Sequence, residues 1–362
     1  MRRVTCLTFG ADYHRPGSLV KQWKQHVAPF QFPLPHMMKL SRYVLLAAGL
    51  CVTQSACTLD ALGLGSGAAS TLPAVSRVVV VSIDGLRGDA VRTMPSLAAL
   101  ESRAAWTDSM QTVVPSLTVP GHLSMFTGRD VTALGVTTNT LDQSAGLALA
   151  INGATTMFQW VKDAGGHTSA LIASSLVPAS DLATAQSFFG IDQITTVTAD
   201  LPLLQADAIA AATSPNAPTL LFIHIPTVDF AGHDFDWVRT DTVAPNGGDI
   251  LGEKYLAAAR GADTVIAALW SALQPAIDNG DVALVITADH GGGHGEHCVA
   301  DMPAVREHCT SQPGDRTTPF LLIAKGVPAA RLVGEPTIMQ VAPTVGQLLR
   351  VKLPARAGAP IE

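Results

Sequence analysis

Seven residues, Arg77 to Ile83, read Arg-Val-Val-Val-Val-Ser-Ile, a nearly continuous β-branched run. A strand with one wet face alternates apolar and polar residues. A run without that alternation belongs to a strand covered on both faces, as in a parallel sheet. Comparable runs recur at Thr168–Ala173, 219–225, Val282–Thr287 and 319–324. Helical stretches separate them, at 94–104, 122–127, 154–164, 255–273 and 338–349. The alternation predicts an α/β fold with a doubly wound, mostly parallel central sheet and helices on both faces. At 362 residues, 48% apolar and 14% charged, the chain can cover such a sheet as a single domain with loop insertions.

The N-terminal part reads differently. Met37-Met38-Lys39-Leu40-Ser41-Arg42 is basic, Tyr43 to Val52 is apolar, and Ser55-Ala56-Cys57 follows. That order predicts a signal peptide over 37–57, and its apolar run is too short to span a bilayer as a helix. Cys57 after Ser-Ala resembles the acceptor of a bacterial lipoprotein, which implies membrane attachment through a lipidated Cys57. The protein is expected to be exported, as a periplasmic or outer-membrane lipoprotein or a secreted protein. Residues 1–36 read as an upstream extension, 58–74 as a linker and 75–362 as the folded domain. Beyond the signal only Cys298 and Cys309 remain. In an exported protein they are expected to form a disulfide, with metal ligation as the alternative. A net charge of −6 and the lack of Lys/Arg runs exclude a nucleic-acid scaffold. An anionic substrate stays open, because bound metal would reverse the local field.

Chemistry-bearing residues gather at the strand ends. Asp84, Asp229 and the pair Asp289-His290 each lie at or just past the end of an apolar run. In open α/β sheets that rim is where ligands bind. Asp229 and His233 are four apart, so one helical turn puts both on one face. Asp289 and His290 would point to opposite sides of an extended segment, and Gly291-Gly292 permits the bend that brings them together. Thr118 stands before Val119-Pro120-Gly121-His122 and a helix, whose N-terminal amides and dipole favour an anion. Taken singly, each has an ordinary explanation: a turn carboxylate, a salt-bridged pair, a helix cap. Together with the His308-Cys309-Thr310 fragment further on, three carboxylates and three imidazoles suit a divalent ion such as zinc.

In this order the motifs resemble the alkaline phosphatase superfamily, in its type I phosphodiesterase/nucleotide pyrophosphatase branch, over about residues 77–352. The resemblance implies two divalent metal ions, usually Zn2+, about 4 Å apart. Asp84, Asp289 and His290 would hold one, together with the Thr118 hydroxyl; Asp229, His233 and a third histidine would hold the other. His294, His297 and His308 are candidates for that third place. The run from His308 through Asp315-Arg316-Thr317-Thr318-Pro319 resembles the family's His-Gly-Thr…Pro-x-Asp-Arg-Thr-x-Pro, which selects His308. Thr118 would be the nucleophile and form a phospho-threonine intermediate, and Asn139 would donate to the phosphoryl group. The implied partner is a small phosphorylated substrate. Sulfatases of the superfamily need a Cys/Ser-x-Pro-x-Arg run, which Leu117-Thr118-Val119-Pro120-Gly121 is not. Threonine-dependent monoesterases add a Lys-x-Arg pair, and none occurs between 154 and 207. The expectation is therefore a diesterase or pyrophosphatase, with a monoesterase as the alternative and a non-catalytic metal-binding lipoprotein as the remote one. Loops at 176–216 and 234–254 are expected to be insertions that shape the substrate pocket.

Overall fold

A computed structural model describes residues 7–8, 72–141, 151–177, 181–239, 244, 248–293, 311–355 and 358–361. The chain divides into two units, Met1–Asp12 with Ser70–Glu362, and Tyr13–Ala69. The second unit lies outside the described residues, and with it the signal peptide, Cys57 and most of the segment read as a linker. His294, His297, Cys298, His308 and Cys309 also lie outside them.

The run that opens the domain is strand β1 (Arg77–Ile83), buried at every position after the first. It is joined in one sheet by β2 (Ala105–Gln111), β3 (Thr168–Ala173), β4 (Gln193–Val197), β5 (Leu220–Ile225), β6 (Val282–Thr287), β7 (Thr317–Ile323) and β8 (Ala330–Arg331). The order across this 8-stranded sheet is β8-β2-β7-β6-β1-β5-β3-β4. β1 pairs in parallel with β5 on one side and β6 on the other, Val78 facing Leu220 and Ala283. Only β7 runs against the rest, antiparallel to both β2 and β6. The carboxyl ends of β1, β5 and β6 therefore sit side by side.

Alternation along the central strands feeds two cores. Val78 and Val80 enter one, with Phe222, Val285 and Phe320. Val79, Val81 and Ile83 enter the other, with Ile223, Leu284 and Leu321. The first is roofed by α2 (Thr118–Thr127), α3 (Met157–Asp163), α4 (Leu182–Phe189) and α8 (Val341–Leu348). The second is roofed by α1 (Pro95–Leu100), α5 (Leu201–Thr213), α6 (Thr227–Phe235) and α7 (Glu253–Asn279). Helix α7 has 27 residues and is apolar enough to cross a membrane. Its buried positions, Tyr255, Ala259, Ala262, Ile266, Leu269, Leu273 and Ile277, follow helical spacing and face the sheet. It is the core helix of this face.

The expected doubly wound architecture is the observed one. One expectation is corrected: 176–216 is no inserted loop. It carries α4, β4 and α5, so it completes the sheet and both layers. The segment hid because β4 is a half-exposed edge strand and α5 is rich in alanine, so neither shows strong apolar contrast. Helix α2 also begins four residues before the expected 122, at Thr118, because Pro120 in a first turn costs no hydrogen bond. In the segment 234–254, α6 continues to Phe235 and α7 starts at Glu253.

Candidate active site

The rim of β1 turns sharply after Asp84. Gly85 has φ of +69°, and a Cβ there would lie 2.8 Å from the Asp229 Cα. Glycine alone lets the chain turn with α6 packed this closely, and the closeness sets Asp229 beside Asp84. Below the turn, the Trp237 indole Nε1–H and the Tyr255 hydroxyl both donate to the Gly85 carbonyl, at 3.2 and 3.0 Å. The Trp237 ring fills the space left by the missing side chains of residues 232 and 292, and meets His233 edge-on at 4.8 Å. It thus braces α6 against the segment after β6. Arg87 makes a second brace. Its buried guanidinium donates to Gly292 O at 2.8 Å and to Asp89 and Asp249 at 2.8 and 2.7 Å.

Asp84, Asp289 and His290 are buried, with ligand-type atoms all within 4.8 Å of one another. The His290 ring has an assignable tautomer. Its Nδ1 lies 2.7 Å from the Gly291 carbonyl, an acceptor only, so Nδ1 carries the proton. Nε2 then presents a lone pair, and the Thr118 hydroxyl donates to it at 3.1 Å. The same Nε2 lies 3.3 Å from Asp84 Oδ1 and 3.2 Å from Asp289 Oδ2. Those two oxygens are buried and accept no hydrogen bond from any described residue. Lone pairs that face one another in a dry site repel unless a cation lies between them.

The electrostatics agree. Burial, reinforced by the charges of Asp84 and Asp229, pushes Asp289 well above the usual carboxylate range. Burial opposes the Asp84 charge most strongly, but the hydrogen bond with His224 and the surrounding imidazoles of His224, His290 and His122 together outweigh it and hold Asp84 below that range. Without a cation the pair keeps a proton on Asp289. His122, directly beneath, is pushed down to about 4, by burial first and by His224 next. Its Nδ1 meets the Thr118 carbonyl at 2.9 Å and its Nε2 meets Ser82 Oγ at 3.2 Å. The residues present fit a divalent metal ion: an imidazole lone pair and a hydroxyl converge with two carboxylate oxygens that accept no hydrogen bond from any described residue.

Asp229 and His233 also come together, at 3.5 Å between Oδ1 and Nε2 on adjacent turns of α6. The spacing of four read from the sequence therefore does place them on one face. Thr118 is the first residue of α2. The Val119 N–H donates to Asn139 Oδ1 at 3.0 Å, which leaves the Asn139 amide nitrogen on the other side of its side chain. Asn139 is thus brought beside Thr118. Other residues of this neighbourhood, among them Ser82, His224, Trp237 and Tyr255, were not singled out from the sequence. His224 alone had a readable signal, an imidazole inside an otherwise apolar buried strand.

The sequence profile of the type I phosphodiesterase / nucleotide pyrophosphatase family matches residues 78–316. No curated protein sequence matches the chain. Among solved structures, murine ectonucleotide pyrophosphatase/phosphodiesterase 5 superposes with a TM-score of 0.57 at 14% identity, over 78% of this chain and 97% of that one. An inactive form of it in complex with AMP gives 0.58 at 14% identity, with coverage of 78% and 97%. A putative sulfatase from Bacteroides thetaiotaomicron gives 0.56 at 14% identity, over 78% of this chain and 73% of that one. At such identity these likenesses are of fold.

Proposed function

Because the chain belongs to the type I phosphodiesterase/nucleotide pyrophosphatase family, we propose that its rim site cleaves phosphodiester or pyrophosphate bonds through a phospho-threonine on Thr118. As a member it is a hydrolase of the alkaline phosphatase superfamily. The observation that carries the proposal is the meeting of His290 Nε2, Asp84 Oδ1, Asp289 Oδ2 and Thr118 Oγ1 in one buried spot.

Asp84, Asp289 and His290 are assigned to one divalent cation. Asp229 and His233 are assigned to a second, with His308 as their third partner on the sequence resemblance alone. Bound there, two Zn2+ ions would neutralise phosphoryl charge and favour ionisation of the Thr118 hydroxyl. The chain's own residues do the rest. Thr118, fixed at the start of α2, aims its oxygen at phosphorus. The Asn139 amide, held by the Val119 N–H, donates to a non-bridging oxygen. Attack forms the Thr118 Oγ–P bond as the leaving oxygen departs from the opposite side. Water then cleaves the phospho-threonine and restores the hydroxyl.

The substrate class proposed is a small phosphorylated compound, nucleotide phosphates first, a choice supported by the AMP complex of the murine neighbour. Export through the 37–57 signal, with lipidation at Cys57, is the accompanying proposal for where the enzyme works. The test is turnover of bis(p-nitrophenyl) phosphate, p-nitrophenyl phosphate and a nucleotide pyrophosphate by the zinc-loaded protein. Turnover of a diester or pyrophosphate that Thr118→Ala abolishes is expected. Faster monoester turnover would replace diesterase with monoesterase, and activity unaffected by Thr118→Ala would overturn the nucleophile.

A further inference from the structure

His224 is a buried imidazole with no part in the chemistry above. It lies in β5, whose residues are all buried and otherwise apolar. Such a ring is accommodated only with both nitrogens satisfied, and both are. The Ala173 N–H on neighbouring β3 donates to His224 Nδ1 at 3.3 Å. A nitrogen that accepts carries no proton, so Nε2–H is the donor to Asp84 Oδ2 at 2.9 Å. The sheet therefore fixes the tautomer, through a main-chain amide, and the tautomer fixes Asp84. With Oδ2 engaged, Oδ1 turns toward His290 Nε2, 3.3 Å away. His122 stands edge-on to the same ring at 5.3 Å and keeps it from swinging.

We infer that His224 is a positioning residue which holds Asp84 as a one-oxygen ligand and so sets the affinity of the first cation site. The inference rests on the reading of Asp84, Asp289 and His290 as metal ligands. Outer partners of ligating side chains typically contribute 10–100-fold in metal affinity. The geometry of β3, β5 and β1 supplies such a partner from three strands.

The experiment is zinc affinity of the metal-stripped full chain, by competition with a chromophoric chelator, alongside melting temperature in EDTA. His224→Phe keeps the bulk and removes the donor. His224→Gln keeps an N–H at similar reach. Asp289→Asn is the control for the site itself. Expected is a loss of about 10–100-fold for His224→Phe and recovery of most of it in His224→Gln. A purely structural role would lower the EDTA melting temperature and leave zinc affinity alone. Unchanged affinity in His224→Phe, with Asp289→Asn impaired, overturns the role of His224 and leaves the metal reading intact. Unchanged affinity in Asp289→Asn overturns both. Should His224→Phe not fold, His224→Asn, too short to reach Asp84, takes its place, with the same outcomes read against His224→Gln.

Discussion

At Thr118 one hydroxyl is held by a helix start and an imidazole, and its removal should separate chemistry from folding. Thr118→Ala is expected to lower diester turnover by about 10³-fold or more while the urea midpoint stays near that of the unsubstituted protein. His122 offers a different test, in the metal-stripped protein. Its folded pKa of about 4 lies below the ordinary 6.5, so the unfolded chain binds the extra proton. Its contribution to stability is complete above about pH 6.5 and is lost as pH falls toward 4, with a slope approaching ~1.4 kcal/mol per pH unit. Asp289, held above the carboxylate range, acts with the opposite sign. The His122 contribution is therefore read as the difference in urea midpoints against His122→Phe at pH 7 and pH 5. Stability of the two proteins changing in parallel over that range would contradict it.

The strand-end turns work as elements. Gly85 combines a left-handed φ with contact to α6, so Gly85→Ala strains both. A destabilisation of about 1–3 kcal/mol is expected, seen as a lower urea midpoint. The loss should also spread Asp229 from Asp84 and weaken zinc binding. Arg87→Met removes the buried donor that joins Gly292 O to Asp249. About 1–3 kcal/mol is expected for the groups left unpaired, with faster proteolysis between α6 and α7 as the local readout. What was readable at this scale followed burial. β1, β5, β6 and β7 announce themselves because strands covered on both faces are continuous apolar runs. β2, with its mixed sequence Ala-Trp-Thr-Asp-Ser-Met-Gln, is covered only in part and shows no such run. Helix α5 is anchored by Leu204, Ala208 and Ala212, and its alanine-rich faces differ too little to reveal a period. Its Asp200 cap, bonded to the Leu203 N–H at 3.1 Å, was a signal that could have been used.

Across the molecule, the site is the point where three parallel strands end together, and a cation there would tie β1, β6 and α2 to one another. Chelation should therefore lower the melting temperature as well as activity. Zinc at 100 times its dissociation constant adds about 2.7 kcal/mol, or several degrees for a domain of this size. A melting temperature insensitive to EDTA would argue against a bound ion. The sequence alone determined the five buried strands at the centre of the sheet, because burial on two faces is written locally as residue type and period. It also determined the carboxylates at the strand ends, because strand boundaries are local. Tertiary structure decided which atoms meet. His224 reaches Asp84 across 140 positions of chain, and Thr118 reaches His290 across 172. No period links such residues. The parallel pairing of β1 with β5 brings the first pair within a hydrogen bond, and the close packing of α2 at Gly121 on the Asp289 backbone brings in the second.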